Sequence, residues 1–363
     1  MQRLVHPLVA DYIYDLPEDL IARYPVEPFD SCRLLQISKS SGKMRDGFFY
    51  DLPEFLEAGD LLVANNTRVE ARRVFLRRQG GQSRGARIET IFLDRAETQP
   101  DSAVKQCWRI LAKKRQRLKD REVLVSEVDE SIYFILHKLK DGRTFLEEST
   151  EMNIEVFEKI GQMPIPPYLH REEEAIDRSA YQNPHAEQLS EKSGSVAAPT
   201  ASLHFTKKVL DSLREKQIQL EYLNLQIGYG TFAPLREENI IQKQLHAEKY
   251  ELPENLAEIL AGRQYNRLYA IGTTTLRVLE TVHRHTSGRY DSLLAGKTNI
   301  FLHPPDVIES VDGMITNFHL PGSSLLMLVS CLLGRDKLLN TYGHAIDNRY
   351  RFFSYGDAML IQP

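Results

Sequence analysis

Between Gly59 and Glu158 the chain strings together six short runs, LLVANN, RRVFLRR, ARIETIFL, CWRILAKK, EVLVSEV and SIYFILHKL. They alternate in polarity or run apolar, and glycine, aspartate and charged turns separate them. Side chains along a strand change face at every residue, whereas a helix needs apolar residues every three or four positions, and this region has no such stretch. The runs predict a small antiparallel β-barrel. The flanks read differently: PEDLIARY, TKKVLDSLREKQ, PENLAEILAGRQ, TLRVLETVHRHT and SSLLMLVSCLLG carry helical spacing, while YLNLQIG, RLYAIG and DGMITNF read as strands between them. Alternating strand and helix predicts an α/β core with a parallel sheet, interrupted by the β-rich insertion.

The 363 residues exceed what one hydrophobic core normally serves, which favours two domains. The formal charge of -4 argues against a protein that coats nucleic acid, but the charge is unevenly spread. RILAKKRQRLKDR, Arg109 to Arg121, is strongly basic, and Arg68, Arg72, Arg73, Arg77, Arg78, Arg84 and Arg87 form a second cluster. Each reads either as a solvated charged face or as a surface for phosphates. Cys32, Cys107 and Cys331 lie far apart without a C-x-x-C pair, and the first twenty residues lack the apolar region of a signal peptide. A cytoplasmic protein with no membrane association is expected.

Polar groups cluster beside turns in several segments. In TNFHLPGSSLLMLVS, Asn317 and His319 precede a Pro-Gly turn and an apolar run too short to span a bilayer. GSVAAPTASLHFT gathers small residues around Pro199, offers the hydroxyls of Thr200 and Ser202, and ends in His204. Such a run suits either close approach of a ligand or tight helix-to-sheet packing. IGTTTLRVLE opens a helix with Thr273, Thr274 and Thr275, whose hydroxyls and unpaired backbone N–H groups suit a carboxylate or phosphate. LHAEKYEL places His246 and Glu248 in an H-x-E pattern, but the P-C-x-x-C of zinc deaminases is missing, so no metal is expected there. LQIGYGTFAPL lacks the third glycine of a dinucleotide fingerprint, and neither a Walker loop, a G-x-S-x-G elbow nor H-E-x-x-H occurs. Histidines 204, 246 and 319 are read as loop residues able to do acid–base work near neutral pH.

These segments, together with IARYPVEPFDSCRLL, GDLLVANNTRV, GQMPIPPYLHR and NRYRFFSYGDAMLI, appear in an order that resembles the S-adenosylmethionine:tRNA ribosyltransferase-isomerase family of queuosine biosynthesis. The resemblance implies a discontinuous α/β-barrel domain, residues 1–60 and 160–363, into which a β-barrel domain, residues 61–159, is inserted. It also implies transfer and isomerisation of the ribosyl part of S-adenosylmethionine onto 7-aminomethyl-7-deazaguanine at the wobble position of a tRNA, with release of adenine and methionine. The sulfonium of the donor acidifies the adjacent 5′ hydrogens and makes methionine a leaving group, so no resident cofactor or metal is expected and the donor is consumed.

Within that resemblance, His204 or His319 is expected as the base at the 5′ carbon, with the other near the leaving adenine. His246 joins them as a candidate, and Glu248 or Asp312 is expected to steady the sulfonium. The donor is assigned to Thr200, Asn317 and Thr273 to Thr275, the last three taking its carboxylate. The tRNA is assigned to Arg33, Arg68, Arg236, Arg349 and Arg351, with Tyr168, Phe232 or Tyr355 stacking on anticodon bases. A monomer is implied. The sequence departs from the family at Gln226, where histidine is frequent, at Asn66, where aspartate is, and at Ser202, where glycine is. Two further readings compete: a noncatalytic anticodon-loop binder on the same fold, and a methyltransferase, which would need a glycine-rich turn early in a Rossmann-like domain.

Overall fold

The computed structural model describes residues 6–79, 87–96, 106–113, 115–186, 194–228, 230 and 235–363. LLVAN, read above as part of the barrel, forms the strand Leu61–Asn65 at the centre of a nine-stranded sheet instead. Every residue in it is buried, which is what a strand covered on both faces requires. Leu61 and Val63 point into one core and Leu62 and Ala64 into another. The helices Gly272–Thr286, Ser324–Leu333 and Arg335–Asp347 cover the first face, and Lys207–Glu215 and Leu52–Phe55 the second.

The order across this sheet is Ala295–Ile300, Gln244–Glu251, Gln219–Leu225, Leu61–Asn65, Leu268–Ile271, Gly313–Asn317, Ala358–Gln362, Arg33–Ser38 and Met44–Phe48. Gln219–Leu225 through Gly313–Asn317 run parallel, but the sheet as a whole is mixed. Ala358–Gln362 runs antiparallel to Gly313–Asn317 because two consecutive helices connect them, and an even number of crossings returns the chain to the end it left. PEDLIARY contributes only a short turn, Glu18–Leu20. Its backbone is claimed by the C-terminal segment, with Phe352 N donating to Leu20 O at 2.8 Å and Ala22 N to Phe352 O at 3.1 Å.

The insertion is a closed antiparallel barrel, as the short runs predict. Its strands are Arg73–Arg78, Ile88–Arg95, Cys107–Ala112, Val123–Ser126, Tyr133–Lys138 and Thr144–Glu148, and Arg73–Arg78 pairs with Val123–Ser126 to close it. The sixth strand is TFLEE rather than LLVAN, so the barrel opens at Arg73, not at residue 61. Trp108, the chain's one tryptophan, fills its centre against Phe92 and Phe157, and its indole N–H donates to Glu148 at 2.8 Å.

The passage between barrel and large sheet is tightly stitched. Gly161–Gln162 pairs with the start of Arg73–Arg78, and a Cβ at Gly161 would lie 1.7 Å from Ala71 O. The segment Glu172 to Ser195 is polar, lacks clear periodicity and is long for a connection, which reads as a lid, but its residues up to 186 are docked: Asn183 Nδ2 donates to Asn65 O and Thr67 O, both at 2.8 Å. The expected lid residues 187–193 lie outside the described residues. Asp177 anchors this segment. Fully buried, it accepts Arg171 Nη1 at 2.6 Å, Arg171 Nη2 at 2.7 Å, Glu174 N at 2.9 Å and Tyr355 OH at 2.9 Å. Burial alone would raise its pKa, but Arg171 and these donors outweigh burial and hold it below the usual carboxylate value. Asp177→Ala strands a largely buried guanidinium and is expected to cost about 3–5 kcal/mol in denaturant unfolding, with Asp177→Asn costing less because its amide still accepts Tyr355 OH.

Candidate active site

Three of the four parallel strands, Gln219–Leu225, Leu268–Ile271 and Gly313–Asn317, lead into one cleft of ≈ 430 Å³. The volume lies within the roughly 300–1,000 Å³ typical of small-molecule sites, and its place beyond the carboxyl ends of parallel strands is where α/β sheets bind ligands. Its walls come from Val9 and Ile13, from Ala198 to Ala201, from Ile227, from Gly272 to Thr274, from Thr316 to Leu325, and from Tyr168, Phe353 and Ser354. The local sequence explains this shape. After Asn317 the chain cannot continue as strand through Pro321, and Gly322, at φ +68, turns it back with its N–H on Tyr12 O at 2.9 Å. Ser323 then caps the helix Ser324–Leu333 by accepting Leu326 N at 3.2 Å.

Asn317 is the hub of the polar floor. Its Oδ1 accepts Thr200 Oγ1 at 2.9 Å, and its Nδ2 lies 3.1 Å from His204 Nε2 and 3.5 Å from Asp357 O. An amide nitrogen only donates, so His204 Nε2 accepts and the ring proton belongs on Nδ1, which faces Cys32 Sγ at 3.2 Å. His204 therefore has both nitrogens engaged and sits behind Asn317 rather than on the cleft wall. Burial lowers its pKa to about 4, and burial pushes the Cys32 thiol well up. Asp357, beneath, has its pKa raised by burial, partly offset by the backbone N–H groups of Arg351 at 2.7 Å and Arg33 at 2.8 Å.

His319 does reach the cleft. Its Nε2 lies 3.3 Å from Thr316 Oγ1 and its Nδ1 3.4 Å from Tyr342 OH, and burial lowers its pKa to about 3. It is thus a neutral imidazole at physiological pH, with two long, easily exchanged hydrogen bonds. The opposite wall is the start of the helix Gly272–Thr286, where Ile271 provides no side-chain cap. Among the described residues, the hydroxyls of Thr274, Thr275 and Ser202 are buried and find no partner. Thr273 and Thr274 line the cleft, while Thr275 is fully buried on the same turn.

The structure thus brings Thr200, Thr273, Thr274, Asn317, His319 and Tyr168 together on one cleft. Tyr168 packs on Phe353 with ring centroids 4.1 Å apart and hydrogen-bonds Ser354. Other expected residues fall elsewhere. Asp312 lies at the opposite end of Gly313–Asn317 and uses its carboxylate on Leu268 N at 2.8 Å, so it cannot meet a ligand in the cleft. His246 and Glu248 are on the strand Gln244–Glu251, not in a loop, and their side chains part company. His246 is exposed, with Gly230 packed so closely that a Cβ there would lie 2.4 Å from the ring. Glu248 is buried, accepting Gly228 N at 2.9 Å and pairing with Arg277.

Among the arginines, Arg33 lies 3.7 Å over the Tyr350 ring and bonds Asp46 at 3.1 Å. Arg351 hydrogen-bonds Tyr24 O while its Nη1 is buried with no partner among the described residues, and Arg349 meets Asp19 at 2.6 Å. Arg68 and Arg236 are exposed and apart from these. Tyr355 is a core residue bonded to Asp177. Phe232, Arg84 and Lys114 lie outside the described residues. Much of the basic inventory is offset by acids, as in Arg72–Glu70 at 2.7 Å, Arg73–Glu89 at 2.9 Å, Arg78–Glu122 at 2.6 Å and Arg109–Asp94 at 2.9 Å. Arg277 escapes the sequence reading although it sits in IGTTTLRVLE. Its spacing of three and four residues from Thr274 and Thr273 is the signal that could have found it. Among the described residues, no helix is long and apolar enough to cross a membrane.

The comparisons with known proteins agree with this geometry. A family model described as "Queuosine biosynthesis protein" matches residues 9–361. An S-adenosylmethionine:tRNA ribosyltransferase-isomerase of Syntrophomonas wolfei is 40% identical over 357 residues, covering 97% of each chain. One of Sulfurihydrogenibium sp. is 38% identical over 356 residues, covering 97% of this chain and 99% of the other. The crystal structure of an S-adenosylmethionine tRNA ribosyltransferase from Thermotoga maritima superposes with a TM-score of 0.52 at 30% identity, covering 97% of this chain and 99% of that one. With the match running through every segment that builds the cleft, this chain belongs to the queuosine biosynthesis protein family.

Proposed function

We propose that the chain is an S-adenosylmethionine:tRNA ribosyltransferase-isomerase that binds its donor in the cleft of Asn317, His319 and the Thr273–Thr274 helix start. The acceptor is 7-aminomethyl-7-deazaguanine at the wobble position of a tRNA, and the products are epoxyqueuosine-tRNA, adenine and methionine. One observation carries the reading: a largely apolar cleft joins an uncharged imidazole to an uncapped helix start with an unpartnered threonine hydroxyl. Such a site accepts a ligand that is cationic at sulfur, apolar along its body and anionic at one end.

The sulfonium meets no carboxylate among the described lining residues. Tyr168, Phe318 and Phe353 line the cleft, and the faces of aromatic rings attract cations. A protonated histidine beside a sulfonium would be repelled, so the low pKa of His319 keeps the base in the form that tolerates the donor. In the proposed sequence His319 removes a 5′ proton to give a ylide, adenine leaves, the aminomethyl nitrogen attacks, and ring closure to the epoxycyclopentane expels methionine. Asn317, fixed by Thr200 and His204, positions the donor. Arg33 and Arg351 supply phosphate contacts, and the protein works as a cytoplasmic monomer without resident metal or cofactor.

The test is product analysis. Incubation with S-adenosylmethionine and tRNA bearing 7-aminomethyl-7-deazaguanine is expected to release adenine and methionine in equal amounts, with or without a chelator of divalent ions. S-adenosylhomocysteine in place of methionine would indicate methyl transfer, and tRNA retention without adenine release would indicate a noncatalytic anticodon-loop binder.

A further inference from the structure

Arg277 is 5% exposed, and among the described residues only one arm of its guanidinium is used: Nη1 donates to Glu248, while Nε and Nη2 are buried and find no partner there. Buried cationic donors left unpaired are costly, so a fold that retains them has an acceptor to offer. We propose that this guanidinium, held in place by Glu248, binds the carboxylate at the amino-acid end of S-adenosylmethionine. The inference rests on the reading of the cleft as the donor site and adds the residue that recognises the donor's one anionic group.

Arg277 lies behind the lining residues of the cleft rather than among them, and three observations point its guanidinium toward the donor. Thr273 and Thr274 line the cleft, and Arg277 follows them by four and three residues in a continuous helix, so all three share a face. Glu248 also accepts the N–H of Gly228 at 2.9 Å, which ties the pair to the residue after the cleft wall at Ile227. The third is the company the guanidinium keeps: among the described residues the Thr274 hydroxyl has no partner, and the first N–H groups of the helix have no side-chain cap. Together these are donors in want of an acceptor. A carboxylate supplies two oxygens in the plane that a guanidinium fork matches, and the positive end of the helix dipole adds to the attraction. Glu248 balances the arginine charge while the site is empty and fixes its rotamer, so the fork is set before the donor arrives.

Titration calorimetry on the full chain tests this with two ligands, S-adenosylmethionine and its decarboxylated analogue, which keeps the sulfonium and the adenosyl group. The native chain is expected to prefer the carboxylate-bearing ligand about 10- to 100-fold, the range of a hydrogen-bonded charge. In Arg277→Met/Glu248→Gln, which removes both charges and leaves no buried ion unpaired, the preference should fall close to one while affinity for the decarboxylated analogue is kept. Arg277→Lys retains the charge but not the fork and should fall between; if the double variant does not fold, this variant carries the test. An unchanged preference in either folded variant overturns the inference and leaves the functional reading standing. A native chain that binds neither ligand overturns both.

Discussion

Replacing His319 by alanine is expected to lower the rate of adenine release about 10²- to 10⁴-fold, the usual contribution of a positioned general base. Retention of tRNA should be nearly intact, and affinity for S-adenosylmethionine should change only a few-fold, because His319 lines the cleft without holding its polar floor. The pH profile gives a second check. An imidazole whose pKa is lowered to about 3 stays unprotonated through the neutral range, so this residue imposes no acid limb on kcat/KM between about pH 5 and 7. Equal losses of donor binding and turnover in the variant would assign His319 a structural part instead. His204→Ala is a different experiment. That ring acts through Asn317, so its loss should weaken donor binding along with turnover.

Acid should destabilise the fold well before its carboxylates protonate. His185, His204 and His319 are buried, with pKa values lowered by burial to about 4, about 4 and about 3. In the unfolded chain each titrates near ~6.5, so between these limits the unfolded state binds more protons than the folded one. The stability these histidines contribute is therefore complete above about pH 6.5, declines as the pH falls, and is exhausted once it passes the folded values. Each accounts for on the order of 3 kcal/mol, and near pH 5 the three together give a slope approaching roughly 4 kcal/mol per pH unit. Denaturant unfolding followed from pH 7.5 to pH 5, with proton uptake counted, should show close to three protons bound on unfolding. His185→Gln should reduce that count by one, because its Nε2 has no partner among the described residues and its ring lies between Phe205 and Tyr222, 5.6 and 5.2 Å away. A stability flat over this range would refute the account of all three as neutral buried imidazoles.

The barrel strands from RRVFLRR to SIYFILHKL and the helices of KKVLDSLRE, ENLAEILA and SLLMLVSCLL are legible in the sequence, because periodicity and caps are local properties. The same locality makes LLVAN ambiguous. A short apolar run looks alike in a barrel and in a doubly covered sheet, and only its neighbours, Gln219–Leu225 and Leu268–Ile271, tell them apart. The helix Arg335–Asp347 is decided by packing, with Leu338, Tyr342 and Ala345 lying on the core.

For the site, the sequence by itself marked the segments: small residues before His204, three threonines after Gly272, and Asn317 and His319 ahead of a Pro-Gly turn. These signals are chemical and lie within a few residues of one another. Tertiary structure alone decided which of the marked groups meet. It put His204 behind Asn317, sent Asp312 to the wrong end of its strand, left His246 exposed while burying Glu248 on another, and gave Glu248 to Arg277. The reason is that burial, hydrogen-bond partners and hence protonation depend on residues far away in the chain, such as the 113 positions between His204 and Asn317, and no local pattern encodes them.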